Sequence, residues 1–203
     1  MRARCRAFLL LGCTLLAGCG VLKRAPAEKS YFVLEATRPD AQIPSPDGEI
    51  LYLRTLRVSP VYEGQSFVYL LQDGTWERDF HNEFFVLPDH LLTGEVRECL
   101  SGSGFIRRVT RTVAVDEGLH ALNGNVEALY GDYSGDTPMA VLAIEFVVLR
   151  SVETVEVLFD RNYRKEVPIS RGAHALVSGW NEALAAILAE FEEDLRQVDF
   201  TVP

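Results

Sequence analysis

The sequence is poor in cysteine and lacks the common catalytic motifs. Its four cysteines in 203 residues do not form the closely spaced pairs of a disulfide framework or a zinc site. His-Glu-x-x-His, Gly-x-Ser-x-Gly and Walker patterns are missing. The four histidines are scattered, with no pair at metal-ligand spacing: His81, His90, His120 and His174. We therefore predict a protein that is not an enzyme and holds no metal, with convergence of distant Ser, His and Asp side chains as the alternative.

Apolar runs of membrane-spanning length are also lacking at the N-terminus. The run over residues 7–16 is too short to cross a bilayer. It follows Arg2, Arg4 and Arg6, and a charged start before a short apolar run is typical of a secretory signal. The run ends in Leu16-Ala17-Gly18-Cys19, which resembles the lipobox of bacterial lipoproteins. The resemblance implies cleavage before Cys19 and a diacylglyceryl and N-acyl lipid on it, while an ordinary signal peptide with an adjoining cysteine is the alternative.

Basic residues are in the minority once that signal is removed. Cleavage deletes three arginines and leaves 17 Lys and Arg against 29 Asp and Glu, a net charge of about -12. So acidic a chain is an unfavourable partner for nucleic acid. Cleavage also removes Cys5 and Cys13, so that Cys99 is the one thiol left besides the lipid-bearing cysteine. Cys99 shares a predicted helical face with Leu92 and Val96, and we expect it to be buried and inert.

The remaining chain has the composition of a single globular domain. Hydrophobic residues make up 48% and charged residues 24%, which is close to the average for such domains. We predict a signal peptide over residues 1–18, a lipid-anchored linker over residues 19–30 and one domain over residues 31–203.

The first half of the domain predicts short strands and one helix. Apolar and polar alternation indicates strands at residues 31–34 and 50–58. Asp73-Gly74 lies between two β-prone segments, which is typical of a hairpin. A helix is predicted over residues 88–100, opened by a proline and closed by Gly102 or Gly104.

The second half predicts an antiparallel meander and a long helix. Strands are indicated at residues 120–130, 139–149 and 155–160, and a helix of about seven turns at residues 173–198. Alternation places Leu122, Gly124, Val126, Ala128 and Tyr130 on one face of the first of these strands, and Val155, Val157 and Phe159 on one face of the third. The predicted fold is a two-layer α+β domain, with the mid-chain and C-terminal helices packed on a mostly antiparallel sheet.

Several segments along the chain together suggest a family. They are Cys19, Tyr31-Phe32-Val33-Leu34, Val58-Ser59-Pro60-Val61-Tyr62, Trp76, Leu122-Asn123-Gly124-Asn125-Val126 and Trp180-Asn181-Glu182-Ala183-Leu184. Their order resembles that of the ABC-type transport auxiliary lipoproteins, the family that includes the paraquat-inducible C lipoprotein. The resemblance implies an auxiliary role in moving lipid or another hydrophobic substrate between two membranes, together with a periplasmic MCE-domain protein, a permease and an ATPase.

Two binding hypotheses follow from the sequence. In the first, the lipid on Cys19 holds the domain at the outer membrane, which Gly20 favours over the inner one, and a surface binds the MCE-domain partner, with a homo-oligomer as a further expectation. In the second, the chain is an envelope assembly lipoprotein that binds an outer-membrane protein or a glycan. Candidate partner contacts are the aromatic residues of predicted loops, for which core packing is the alternative: Tyr62, Trp76, Phe80, Phe84 and Phe85.

Overall fold

The computed structural model describes residues 28–37, 42–111, 119–151 and 154–201. The predicted signal peptide and the lipid-bearing Cys19 lie outside the described residues, as does most of the predicted linker. The described chain forms, in order, β1 Ser30–Phe32, β2 Glu49–Leu53, β3 Arg57–Val58, β4 Ser66–Leu70, β5 Trp76–Phe84, α1 Pro88–Ser101, β6 Ile106–Thr110, β7 Leu119–Asp132, β8 Met139–Ser151, β9 Val155–Pro168 and α2 Ala173–Leu195.

One sheet is organised around the long strand β7. Along one edge β7 pairs antiparallel with β8, and β8 pairs antiparallel with β9, which confirms the predicted meander. Along its other edge β7 pairs in turn with β2, β3 and β4, all parallel. β6 pairs with β2, and β5 followed by β1 extends the sheet beyond β4. The sheet is therefore mixed, but its two longest pairings are antiparallel.

The C-terminal helix α2 covers β8 and β9, as predicted for a two-layer domain. Its apolar stripe includes Trp180, Leu184 and Phe191, all fully buried. Phe191 stacks on Phe146 of β8 with ring centroids 4.1 Å apart, and the indole N–H of Trp180 donates to the carbonyl of Tyr130 at 3.2 Å. Neither described helix is both long enough and apolar enough to cross a membrane.

The mid-chain helix α1 begins and ends where the sequence predicts. Pro88 occupies its first turn, and Gly102 caps its C-terminus, with the N–H of Gly102 donating to the carbonyl of Glu98 at 3.0 Å. Gly104 adopts a φ of +79°, which an L side chain disfavours, and turns the chain into β6. Cys99 is buried on the inner face of α1 with Leu92 and Val96, as expected.

The strand predicted over residues 50–58 is interrupted. Arg54 donates its backbone N–H to Leu122 of β7 at 3.1 Å, whereas the N–H of Leu56 turns toward the side-chain hydroxyl of Thr93 on α1 at 2.9 Å. The segment therefore forms two short strands, β2 and β3, on either side of this contact with the helix.

Two face assignments made from simple alternation were wrong. In β7 a bulge at Glu127 lets Val126 lie opposite Ile144 while Ala128 lies opposite Ala143, so Ala128 and Tyr130 turn to the other face from Val126. In β9 a bulge at Leu158 likewise separates Phe159 from Val157. One inserted residue reverses the face of every residue beyond it.

Candidate partner-binding surfaces

The side of the sheet turned away from α2 is its open face. Tyr130 lies opposite Val141 in the β7–β8 register, so both side chains lie on the same face of the sheet. The next residue of β8, Leu142, points to the other face, as does Phe146, and α2 packs on that face. Side chains alternate along a strand, so Tyr130 points to the open face. Trp76 contacts the Tyr130 ring and therefore belongs to the same side.

Three aromatic rings form a cluster on this open face. The Trp76 and Tyr130 rings meet edge to face with centroids 5.0 Å apart, and Tyr62 stacks on Tyr130 at 6.0 Å and contacts Trp76 at 6.3 Å. Tyr62 and Tyr130 are buried, but 49% of Trp76 is exposed, and Val61 beside it is also exposed. We call Val61, Tyr62, Trp76 and Tyr130 the Trp76 surface.

Backbone hydrogen bonds fix the loop that carries Tyr62. The N–H of Ser59 donates to the carbonyl of Val126 at 2.9 Å, and the N–H of Tyr62 donates to the carbonyl of Ser59 at 2.7 Å. The guanidinium of Arg78 on β5 donates to the carbonyl of Val61 at 2.7 Å. These bonds connect the loop to β7 and β5, so Tyr62 supports Trp76 from a defined position.

Arginine accompanies the aromatic rings of the Trp76 surface. The Arg164 guanidinium donates to the Tyr130 hydroxyl at 3.3 Å and pairs with Glu166 at 2.8 Å. Burial and the neighbouring Tyr130 raise the pKa of Tyr62, and Arg164 lowers it by less. The Tyr62 phenol is therefore protonated at neutral pH. Tryptophan, tyrosine and arginine, the residue types gathered here, are enriched among the residues that dominate protein–protein binding.

A second set of exposed apolar side chains lies where β1 meets the end of β5. We call Tyr31, Val33, Phe80, Phe85, Val86 and Leu87 the Phe80 surface. Tyr31 and Phe85 contact each other edge to face at 6.2 Å. The ammonium of Lys29 lies 5.4 Å from the centre of the Phe80 ring and pairs with Glu83.

A wide bulge in β5 holds Phe80 outward. Glu83 lies opposite Ser66 and Arg78 lies opposite Val68, so the residues from Asp79 to Asn82 have no direct partner on β4. The Asp79 carboxylate accepts hydrogen bonds from the backbone N–H of His81 and of Asn82, from the Asn82 amide and from the Tyr69 hydroxyl, at 2.5 to 3.0 Å. Burial alone would raise the pKa of Asp79, but these hydrogen bonds hold it below its usual range. The bulge is thus rigid, although 63% of Phe80 is exposed.

The structure divides the five predicted contact residues. Trp76, Phe80 and Phe85 are exposed, as the prediction requires. Phe84 is 2% exposed and packs on Phe67 at 4.7 Å and on Trp180 at 5.5 Å, so its assignment to a contact surface was wrong. Tyr62 is also buried and supports Trp76 from beneath rather than presenting its own ring.

Sequence reasoning missed six members of these surfaces: Tyr31, Val33, Val61, Val86, Leu87 and Tyr130. Tyr130 was assigned to the wrong face, because the bulge at Glu127 has no signal in the alternation. Tyr31 was placed in a strand, but the sequence does not show that this strand lies at the edge of the sheet. Leu87 directly precedes the predicted helix and carries no signal of its own in the sequence, yet it is exposed beside Phe85 and Val86.

An open groove of about 710 Å³ runs between β3 and the start of α1. Its lining mixes apolar side chains with charged ones, among them Val58, Leu87, Arg57, Glu63 and Asp89. Leu87 belongs both to this groove and to the Phe80 surface, so the two features adjoin.

The histidines occupy unrelated positions. His81 lies in the β5 bulge, His90 on α1 and His174 on α2, whereas His120 is buried in β7 with its Nδ1 3.4 Å from the Glu49 carboxylate. Across residues 28–37, 42–111, 119–151 and 154–201, no group of three or more His, Cys, Asp or Glu side chains is placed to hold a metal ion.

This arrangement of one mixed sheet and two helices is a fold shared with solved structures. No protein-family model matches the chain, and no curated protein matches it. The crystal structure of an uncharacterized protein is similar at 18% identity, with a TM-score of 0.66 over 83% of this chain and 99% of that one. The crystal structure of XCC0632 from Xanthomonas campestris, a DUF330 protein, is similar at 16% identity, with a TM-score of 0.65 over 83% of this chain and 100% of that one.

A more distant similarity is to the hypothetical protein CT253 from Chlamydia trachomatis. Its structure matches at 6% identity, with a TM-score of 0.53 over 71% of this chain and 96% of that one. At such identities the similarity concerns the fold. The chain therefore has the fold of the DUF330 protein XCC0632.

Proposed function

We propose that this chain is a lipid-anchored auxiliary component of an MCE/ABC-type system that transports lipid or another hydrophobic substrate between two membranes. The lipid on Cys19 holds it in the outer membrane with its domain facing the periplasm. It acts by binding a periplasmic MCE-domain protein rather than by catalysis. The lipobox-like signal and the order of motifs in the sequence support this proposal.

The observation that carries the binding role is the Trp76 surface. Trp76 exposes about half of its area to solvent, while Tyr62 and Tyr130 hold its indole from beneath. Large aromatic side chains fixed in advance lose little conformational freedom on binding. The Trp76 surface is therefore suited to serve as the centre of an interface with a partner protein.

A homo-oligomer is part of the same proposal, because several copies would present several Trp76 surfaces to one partner assembly. Light scattering of the acylated protein in detergent gives its mass. A mass of one chain would remove the oligomer from the proposal and leave the binding role intact.

The proposal is tested by recovering the acylated protein from crosslinked envelopes and identifying its partners by mass spectrometry. Trp76→Ala removes the central side chain of the Trp76 surface, and Val157→Ala is the matched control, because it also removes an exposed apolar side chain but lies on β9, outside both surfaces. A Cys19→Ser variant tests the anchor. We expect the MCE-domain protein with wild type and with Val157→Ala, and at least about tenfold less with Trp76→Ala.

Two results would contradict the proposal in different ways. Equal recovery of the MCE-domain protein with Trp76→Ala would remove the Trp76 surface from the interface. Recovery of only an outer-membrane protein or cell-wall glycan, with wild type and variants alike, would favour the envelope assembly hypothesis instead.

A further inference from the structure

Exposed apolar side chains are concentrated at one end of β5. Six of the eleven large hydrophobic side chains that are exposed in the described residues belong to the Phe80 surface. All six come from two short segments, residues 31–33 and 80–87, which the pairing of β1 with β5 brings together. Single exposed apolar residues are ordinary, but a group of this kind indicates a surface that is covered in use.

The chain enters its domain at this same surface. Lys29 lies against the Phe80 ring, and the backbone carbonyl of Glu28 lies 3.4 Å from Nδ1 of His81 in the bulge. Nine residues separate Lys29 from Cys19, and the ten Cα–Cα steps between the two residues span at most about 35 Å. A lipid on Cys19 therefore keeps the Phe80 surface within reach of the membrane that holds the lipid.

The chemistry of the surface suits the boundary between lipid headgroups and acyl chains. Tyrosine and other aromatic rings concentrate at that boundary in membrane proteins. The Lys29 ammonium pairs with Glu83, and the Asp79 carboxylate accepts hydrogen bonds within the bulge, so two of the carboxylates beside the rings are compensated. This compensation lowers their repulsion from anionic lipid.

The sequence supplies cations between the anchor and this surface. Lys23 and Arg24 belong to the predicted linker, and basic side chains near a membrane surface are attracted to anionic headgroups.

We infer that the Phe80 surface rests on the phospholipid leaflet that holds the Cys19 lipid, with Phe80 and Phe85 inserted at the headgroup level. The inference rests on the lipid anchor of the proposed function, but not on the identity of the periplasmic partner. It assigns the two surfaces different occupants, since the Phe80 surface contacts lipid and the Trp76 surface contacts protein.

The test uses the full acylated chain reconstituted in vesicles of phosphatidylethanolamine and phosphatidylglycerol. In a Trp76→Phe background, one probe tryptophan is introduced by Phe80→Trp, or by Phe85→Trp in case the bulge does not accept an indole. Val157→Trp is the matched control, because Val157 is also exposed but lies on β9 at the opposite edge of the sheet, roughly 24 Å from β1 across five strand spacings. Trp180 is fully buried and provides a constant background.

Lipids brominated on their acyl chains quench only those tryptophans that reach them. We expect the Phe80→Trp and Phe85→Trp probes to lose at least about twice as much fluorescence as the Val157→Trp probe. Equal quenching at the three positions, or none at any of them, would overturn the inference.

The outcomes also separate the inference from the proposed function. Protein that does not co-sediment with the vesicles would show that the anchor is wrong. This result would contradict both the inference and the proposed function. Selective quenching combined with loss of the MCE-domain protein from envelope pull-downs would leave membrane docking in place and overturn the transport role. The probes could instead be selectively shielded only when envelope proteins are added. That result would identify a protein as the occupant of the Phe80 surface and would overturn docking on lipid.

Discussion

Two neighbouring phenylalanines separate the core from the surface at the end of β5. Phe84 is 2% exposed and packs on Phe67 and Trp180. Phe85 is 64% exposed, and its ring contacts that of Tyr31. Because side chains alternate along a strand, adjacent residues of the same type have opposite roles here. Phe84 stabilises the packing of α2 on the sheet, and Phe85 belongs to the Phe80 surface.

This difference predicts contrasting effects on stability. We expect Phe84→Ala to lower the free energy of unfolding by about 3–5 kcal/mol, since it removes a fully buried ring and leaves a cavity. Phe85→Ala is the matched control and is expected to change it by less than about 1 kcal/mol. Urea unfolding followed by circular dichroism measures both. Similar losses for the two variants would contradict the assignment of Phe84 to the core.

His120 is a buried ionisable group, and the effect of burial on its pKa outweighs that of the carboxylate beside it. It is 4% exposed, its ring lies 5.0 Å from that of Phe200, and the Glu49 carboxylate is 3.4 Å from its Nδ1. Burial lowers the pKa of His120, and nearby Arg150 adds to this lowering, while Glu49 raises the pKa by less than burial lowers it. The folded state therefore favours the neutral imidazole.

The sign of this shift predicts a loss of stability on acidification. The unfolded chain takes up a proton near pH 6.5, and the folded chain takes it up only at lower pH. The contribution of His120 to the free energy of unfolding is therefore fully present above pH 6.5. It is lost as the pH falls through the lower pKa that His120 has in the folded state. We expect the stability difference between wild type and His120→Gln to shrink from pH 7.5 to pH 5, measured by urea unfolding at each pH. A difference that stays constant or grows over this interval would contradict the assignment.

At the scale of elements, the two helices and the meander were predictable because their signals are local. Pro88 and Gly102 mark the ends of α1, and the apolar stripe of α2 repeats at helical spacing through Phe191. The Asp73-Gly74 pair likewise specifies the β4–β5 hairpin, where Gly74 adopts a φ of +80°.

The bulges and the parallel pairings were not predictable, because they depend on contacts between distant segments. At Glu127 and Leu158 the local alternation gives no sign of a register shift, yet the pairing of β7 and β9 with β8 contains one at each position. The break between β2 and β3 depends on Thr93, which is 37 residues from Leu56 along the chain. Such choices decide which face a side chain occupies without changing the type of element.

Two glycines of different conformation provide a test at this scale. Gly74→Ala places a Cβ on a residue with a φ of +80°, and we expect it to lower the free energy of unfolding by about 1–2 kcal/mol. Gly94 lies in the interior of α1 with open space around its Cα, and Gly94→Ala is expected to raise the same quantity by about 0.5–1 kcal/mol. Thermal and urea unfolding measure both. A stabilising Gly74→Ala would show that the hairpin turn does not need the left-handed conformation.

At the scale of the molecule, α2 packs on one side of the sheet, and neither helix of the described residues packs on the other side. The sequence predicted that exposed aromatics would form the contact region, and Trp76, Phe80 and Phe85 are exposed. It did not predict their division into two surfaces, because that division depends on the edge position of β1 and on the bulge that turns Tyr130 toward Trp76. The division gives the molecule one aromatic surface around Trp76 at the start of β5 and another at the end of β5, beside β1.

The central claim is that the Trp76 surface binds an MCE-domain protein in the envelope. Its most direct test is to replace Trp76 with a photo-crosslinking phenylalanine derivative in the full acylated chain, in living cells. The same replacement at Val157, exposed on β9, is the control. The account predicts an ultraviolet-dependent adduct with the MCE-domain protein from position 76 but not from position 157. An adduct from position 76 with only an outer-membrane protein, or no adduct from that position, would contradict it.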